Sequence, residues 1–243
     1  MILVKIKDAI RWIRVCIIRL CAINKPLIDL SGEKILIVAP HPDDEIIGCA
    51  GLMSRFAKSG NVYLAVLSGG ENSHATHCNM DKSALMNARR NLTIEAAETI
   101  ELPKENICFF NYPDGKISYD CEETQRLKSL IEELGPVSIF VPHLGEGWSD
   151  HINTNKIVNE ITKKNTAIHI YEYCVWFWYY NVWDIVWRKA CILKMSNGEH
   201  ESKLAAMDAY IKPLAPCGKP WSGVLPKVFV EANKWNRELY FKV

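Results

Sequence analysis

The segment Ala39-Pro40-His41-Pro42-Asp43-Asp44-Glu45 sets one imidazole and three carboxylates within five residues, directly after a short apolar run. Acids packed this closely create a negative local charge that calls for a cation. Imidazole nitrogen combined with carboxylate oxygen suits zinc or a similar divalent ion. The two prolines stiffen the turn and preorganise it. A helix start also recruits acids, and Asp43 or Asp44 would serve as a cap. Capping explains one acid, not three and a histidine. A catalytic zinc typically has three protein ligands and an open position for water. The stretch Pro142 to His151 supplies two further histidines, His143 and His151. His151 follows an acid and opens a helix, so it is the expected third ligand beside His41 and Asp44, with Asp150 as an electrostatic partner off the metal. His143 is then structural or substrate-facing.

These loops need a frame that brings them to one edge. Lys34 to Ala39 reads as a buried strand, and Glu45 to Lys58 as a helix stopped by Ser59-Gly60. Strands are expected at Val62 to Leu67, Asn106 to Phe110, Val137 to Val141 and Ala167 to Tyr173. Helices are expected at Ser83 to Ile100, Glu122 to Leu134 and Ile152 to Lys163. Strand and helix alternate with short connections, which predicts a Rossmann-like α/β fold: a mostly parallel sheet with helices on both faces. After Val175 the rhythm breaks. A helix at His200 to Tyr210, a Pro/Gly-rich stretch and strand-like pieces at Val228 to Glu231 and Glu238 to Lys242 predict a small C-terminal α+β subregion beside the sheet. Residues 31–243 are read as a single domain. In such sheets ligands bind outside the carboxyl ends of the strands, and the polar residues cluster in those loops.

The composition is that of a globular protein, 49% hydrophobic and 23% charged over 243 residues. A net charge of +1 gives no field to steer nucleic acid. Nine cysteines at irregular spacings, with no Cys-x-x-Cys pair, read as free thiols in a reducing compartment, hence the cytoplasm. Residues 1–30 are read as a basic amphipathic helix. Ile10, Ile13, Ile17 and Leu20 recur at helical spacing, while Lys5, Lys7, Arg11, Arg14 and Arg19 interrupt any spanning segment. This helix either docks peripherally on a membrane, through residues 1–25 at its inner face, or packs on the domain.

Taken together, the strand before His41-Pro42-Asp43-Asp44-Glu45, the Gly69-Gly70-Glu71 after the second strand, the Pro113-Asp114-Gly115 after the third and the Asp150-His151 after the fourth resemble the LmbE/PIG-L family of zinc-dependent N-acetylglucosamine deacetylases. The resemblance runs from about Lys34 to Tyr173, with an echo in the helix around Lys203 to Tyr210. It implies one zinc held by His41, Asp44 and His151, with iron or manganese acceptable to the same donors. It makes Asp43 the general base, has Glu45 support the loop, and puts Asp114 where relatives contact the sugar. Two departures stand out. Many relatives carry an oxyanion-stabilising histidine where this chain has Trp148, and some carry arginine where it has Gly69. Trp148 then lines the sugar pocket while His143 or another group donates, or activity is weak. Glu71 joins Asp114, Trp148 and His143 as an expected substrate contact.

Arg89 and Arg90 read as an exposed or ion-paired helix face, with contact to a substrate phosphate as the second reading. His74 and His77 read as part of a mobile loop over the site, with a second metal as the alternative. The run Tyr171 to Tyr180 carries six aromatic rings between Tyr173 and Tyr180 alone, suited to sugar faces or lipid headgroups. The expected function is metal-dependent removal of the acetyl group from an N-acetylhexosamine on a sugar or glycolipid. The alternative is a catalytically weak, metal-containing glycan-binding protein.

Overall fold

The structure, a computed structural model, describes residues 2–74, 80–180 and 184–243. After the N-terminal helix α1 (Ile2–Ala22) come β1 (Ile35–Ala39), α2 (Asp44–Phe56), β2 (Val62–Ser68), α3 (Lys82–Glu98), β3 (Ile107–Tyr112), α4 (Glu122–Leu134), β4 (Ser138–Pro142), α5 (Ser149–Thr162) and β5 (His169–Tyr173). They are followed by β6 (Ala190–Lys194), α6 (Asn197–Ile211), α7 (Lys227–Asn233) and β7 (Arg237–Lys242). The seven strands form one sheet in the order β3-β2-β1-β4-β5-β7-β6. β3, β2, β1, β4 and β5 run parallel. β7 is antiparallel to both β5 and β6.

Alternate residues of β1 feed opposite layers. Ile35, Ile37 and Ala39 join the core packed by α2, α3 and α6, whereas Leu36 and Val38 join the core packed by α4 and α5. A sheet covered on both faces needs apolar residues throughout its strands, and β1 is buried at every position. Helix α2 lies close to the sheet. A Cβ at Gly48 would stand 2.5 Å from the Tyr173 ring, so only glycine lets the helix approach β5 this closely. The chain order reverses between β1 and β4, and the loops leaving these two strands carry His41 and His151. This is the topological switch point at which α/β sheets open a crevice.

Two expectations for the C-terminal region need correction. The two C-terminal strands extend the main sheet rather than packing beside it, and β6 is one the sequence reading did not identify. Val228 to Glu231 is helical, within α7. Pro226 precedes its first turn, and Phe229, Ala232 and Asn233 are its buried residues, at spacings of three and four. The three-residue apolar run there mimics a strand. Among the described cysteines seven are free, but Cys217 is disulfide-bonded, contrary to the expectation of free thiols throughout.

Helix α1 packs on the domain through Val15, Ile18 and Ala22, against Phe177, Trp178, Ile192 and Leu239. Arg14 is buried with it and donates to the carbonyl oxygens of Phe177 and Trp178, both at 2.9 Å. Among the described residues no helix is long and apolar enough to cross a membrane.

Candidate active site

The turn from β1 into α2 carries the first half of the site. Asp44 opens α2, and its Oδ2 accepts the His41 backbone N–H at 3.1 Å. The same oxygen stands 3.2 Å from His41 Nδ1 and 3.4 Å from His151 Nε2. Ligand atoms about 2.0–2.2 Å from a tetrahedral zinc stand roughly 3.3–3.5 Å apart, so this spacing fits a shared ion. His41, Asp44 and His151 offer ligand atoms all within 4.8 Å of one another. Charge fits as well: Asp44, Glu146 and Asp150 are buried around the two histidines, apart from Asp43, which pairs with Arg89.

Each histidine has a carboxylate on its far nitrogen. His41 Nε2 is 3.1 Å from Asp150 Oδ2 and 3.2 Å from Asp114 Oδ1. His151 Nδ1 faces Glu146 Oε2 at 3.5 Å. Carboxylates in this position fix the ring and raise its basicity as a ligand. Burial opposes charge on His41, yet Asp114, Asp150 and Asp44 raise its pKa well above the usual value. Asp150 also accepts the N–H groups of Gly115 (2.7 Å) and Ile117 (3.2 Å), tying the loop after β3 to His41.

Glu146 was not singled out in the sequence. Fully buried, it accepts the backbone N–H groups of Val175 (2.8 Å), Trp176 and Phe177 (3.2 Å). It therefore joins the turn after β5 to His151. Its signal was a lone acid between two glycines inside the histidine-bearing loop. Replacing Glu146 by Gln should weaken metal affinity by about 10- to 100-fold, the usual cost of losing such a partner. Titration of the stripped protein with zinc against a competing chelator measures it.

Asp43 sits at φ 114°, ψ −31°, where side chains are rarely found. Its N–H donates to Glu45 Oε2 at 3.1 Å, so Glu45 braces the loop from below. Burial pushes the Asp43 carboxyl up to about 7, with Arg89 opposing the shift. Of the two expectations for Arg89, ion-paired holds and exposed does not: it is buried. Its Nη2 reaches Asp43 Oδ2 at 3.2 Å and donates to Pro42 O at 2.7 Å. Its Nη1 donates to Gly70 O at 2.9 Å, and its Nε to Tyr210 Oη at 2.9 Å. A Cβ at Gly70 would lie 1.7 Å from Nη1, and φ there is 63°, so glycine is required. The readable signal was position: Arg89 shares the buried stripe of α3 with Leu85, Leu92 and Ala96. Arg90 is instead half-buried, donating to Phe110 O and Asn111 Oδ1.

A cavity of ≈ 440 Å³ opens on these groups, lined among others by Asp43, Arg89, Asp114, Trp148, Trp176 and Phe229. Of the four expected substrate contacts, Asp114 and Trp148 line it. Asp114 is held there by the Asn72 N–H (2.7 Å) on its Oδ2. Trp148 is 45% exposed and packs edge-on against Trp176 and Tyr180. Glu71 does not line the cavity; its Oε1 accepts the Asp114 N–H at 2.9 Å. His143 does not line it either. It sits between Phe177 and Phe241, accepts the Gly145 N–H at 2.8 Å, and burial pushes its pKa down to about 4. At Gly69, a Cβ would meet Met86 Cγ at 2.1 Å, so Met86 holds the space an arginine would need. His74 is buried, with Ser73 Oγ and Pro220 O on its two ring nitrogens. His77 lies outside the described residues.

The family model PIG-L, described as GlcNAc-PI de-N-acetylase, matches residues 36–162, just over half of the chain. The chain belongs to the PIG-L family. As a PIG-L protein it is a hydrolytic deacetylase of GlcNAc-type substrates. The match spans the loops that carry His41, Asp44 and His151 and stops at the end of α5. Comparison with curated proteins found no match. Solved structures share the fold. N,N'-diacetylchitobiose deacetylase from Pyrococcus horikoshii is 23% identical, with a TM-score of 0.59 over 74% of this chain and 72% of that one. A deacetylase of the teicoplanin biosynthesis pathway, in complex with teicoplanin, is 12% identical, with a TM-score of 0.62 over 86% of this chain and 96% of that one. GalB, the 4-carboxy-2-hydroxymuconate hydratase from Pseudomonas putida KT2440, is 18% identical, with a TM-score of 0.57 over 72% of this chain and 78% of that one. A hydratase on the same PIG-L-like fold means that architecture alone does not fix the reaction.

Proposed function

We propose that this PIG-L protein removes the acetyl group from an N-acetylhexosamine, on a sugar or glycolipid, by zinc-dependent hydrolysis at His41, Asp44 and His151. The observation that carries the reading is Asp43, a buried carboxylate beside the three donors yet outside their cluster, facing the cavity under Arg89. A zinc ion held by His41, Asp44 and His151 would supply an acidified water, its pKa lowered towards ~7, and a Lewis acid for the acetyl carbonyl. Asp43 takes the proton as the water oxygen bonds to the acyl carbon. It then delivers that proton to the amine nitrogen as the C–N bond breaks, leaving the free amino sugar and acetic acid, which releases its remaining proton to solvent as acetate. Asp150 and Glu146 hold the two histidines in register. The N-terminus of α5 has no side-chain cap, and its first-turn residues Ser149, Asp150 and His151 line the cavity. Its positive end is the donor set we assign to the developing oxyanion, in place of the family's histidine.

Removing the metal with a chelator should abolish amine release from N-acetylglucosamine conjugates. One equivalent of zinc per chain should restore it. Activity that survives complete stripping would refute the metal role. In this arrangement Trp148 is a wall for the sugar ring and not a proton donor. Trp148→Ala should therefore raise KM roughly threefold to tenfold, the worth of one aromatic contact, with little change in kcat. Steady-state kinetics separates the two.

A further inference from the structure

Helix α1 is apolar on two sides, and only one of them is covered. Its inner face is committed to the domain through Val15, Ile18 and Ala22. Three arginines fix its pose. Arg14 binds the Phe177 and Trp178 carbonyls, Arg19 Nη2 donates to Glu231 O (3.1 Å) and Ala232 O (2.8 Å), and Arg11 lies 3.8 Å over the Tyr179 ring. On the other side Ile6, Ile10, Ile13, Ile17 and Leu20 are each half or more exposed, Leu20 reaching 74%. Their spacings of four, three, four and three place them within about 80° of one another around the helix. No charged residue of α1 falls inside that arc. Exposed Lys7 borders it, and α1 as a whole carries five bases against the single acid Asp8.

We infer that α1 is an in-plane docking helix for an anionic lipid surface. A contiguous apolar stripe held rigidly outward is costly in water and marks an interaction surface. A basic apolar helix too charged to span lies in the headgroup region, its apolar residues sunk towards the acyl chains; with Arg11, Arg14 and Arg19 turned to the domain, exposed Lys7 is the base placed to meet acidic headgroups. Charge favours an anionic lipid surface: Lys7 is exposed beside the arc, and the only acid of α1, Asp8, is paired with Arg11 at 3.0 Å. The helix leans on the turn Trp176–Trp178 and on α7, the elements that give the cavity Trp176 and Phe229. Docking therefore holds the cavity wall beside the bilayer, where a lipid-linked substrate would be presented. That last step rests on the deacetylase reading; the docking itself does not.

The test is flotation of the full-length protein with vesicles of phosphatidylcholine, with and without phosphatidylglycerol, beside an Ile13→Glu/Ile17→Glu variant. Thermal unfolding and turnover of a soluble N-acetylhexosamine conjugate serve as controls. The native protein should float with the anionic vesicles, less so as salt rises, and remain behind with phosphatidylcholine alone. The variant should lose at least about tenfold in partitioning, as expected when buried apolar contacts become charges, with unchanged melting and turnover. A variant that melts early is replaced by Ile13→Ser/Ile17→Ser, for which the same loss is expected. A native protein that floats with neither vesicle, or a well-folded variant that floats as well as the native protein, overturns the inference. So does a dimer in lipid-free solution that the substitutions split into monomers. Because turnover of the soluble conjugate is read separately, failure of docking and failure of the deacetylase reading are distinguishable.

Discussion

Asparagine in place of Asp43 should lower kcat by about 10²- to 10⁴-fold, the usual contribution of a positioned general base, while zinc content and melting temperature stay near those of the native protein. The choice of asparagine matters. Asp43 holds φ 114°, and conformations of this kind cost about 1–3 kcal/mol in most residues; asparagine tolerates positive φ better than alanine does. Its side-chain oxygen can still accept from Arg89, 3.2 Å away on Asp43. The substitution thus removes the proton acceptor and keeps the loop. Alanine would confuse two losses, because it would also strand the buried guanidinium. Matched zinc analysis, melting curves and kcat measured side by side check the prediction. A variant that keeps most of its turnover would show that the proton goes elsewhere.

Arg89→Met should be the most damaging single change outside the metal ligands. Arg89 is 4% exposed and ties together the loops after β1 and β2 and the helix α6, through Pro42, Asp43, Gly70 and Tyr210. Removing one partner of a buried ion pair costs roughly 3–5 kcal/mol, because the other charge is left uncompensated. Here the stranded group is Asp43, so stability and catalysis should fall together. Arg89→Lys should not rescue the protein: one ammonium cannot reproduce four contacts fanned over a planar guanidinium. Chemical denaturation with parallel kinetics measures both effects. Lysine restoring both would mean that only the charge matters at this position.

The sequence disclosed the parts of the site that are local. His41, Asp43 and Asp44 sit within four residues, and the polarity of that turn after an apolar strand points to a candidate cation site without any long-range information. His151 could be added because alternation of strand and helix forces the loops after β1 and β4 to one sheet edge. What stayed hidden depends on contacts between distant segments. Arg89 lies 46 residues from Asp43 along the chain, and nothing local distinguishes a buried arginine from a solvated one except its place on an apolar stripe. Glu146 acts through the backbone of residues 175–177, whose turn leaves no pattern in residue types. His143 shares a loop with His151, which makes it a candidate donor by sequence, yet the aromatic rings of Phe177 and Phe241 enclose it away from the cavity. The parallel strands were legible as continuous apolar runs. β6 and α7 were not, since a five-residue edge strand and a two-turn helix in an aromatic-rich region carry too few periods to separate one pattern from another.

Amine release from free, nucleotide-linked and lipid-linked N-acetylglucosamine, by zinc-loaded native protein and by Asp43→Asn of equal metal content, bears most directly on the assignment of His41, Asp44, His151 and Asp43. Turnover of at least one conjugate by the native protein, lost in the variant, is the predicted result. Stoichiometric zinc with no amine released from any conjugate, or equal release by both proteins, would contradict it.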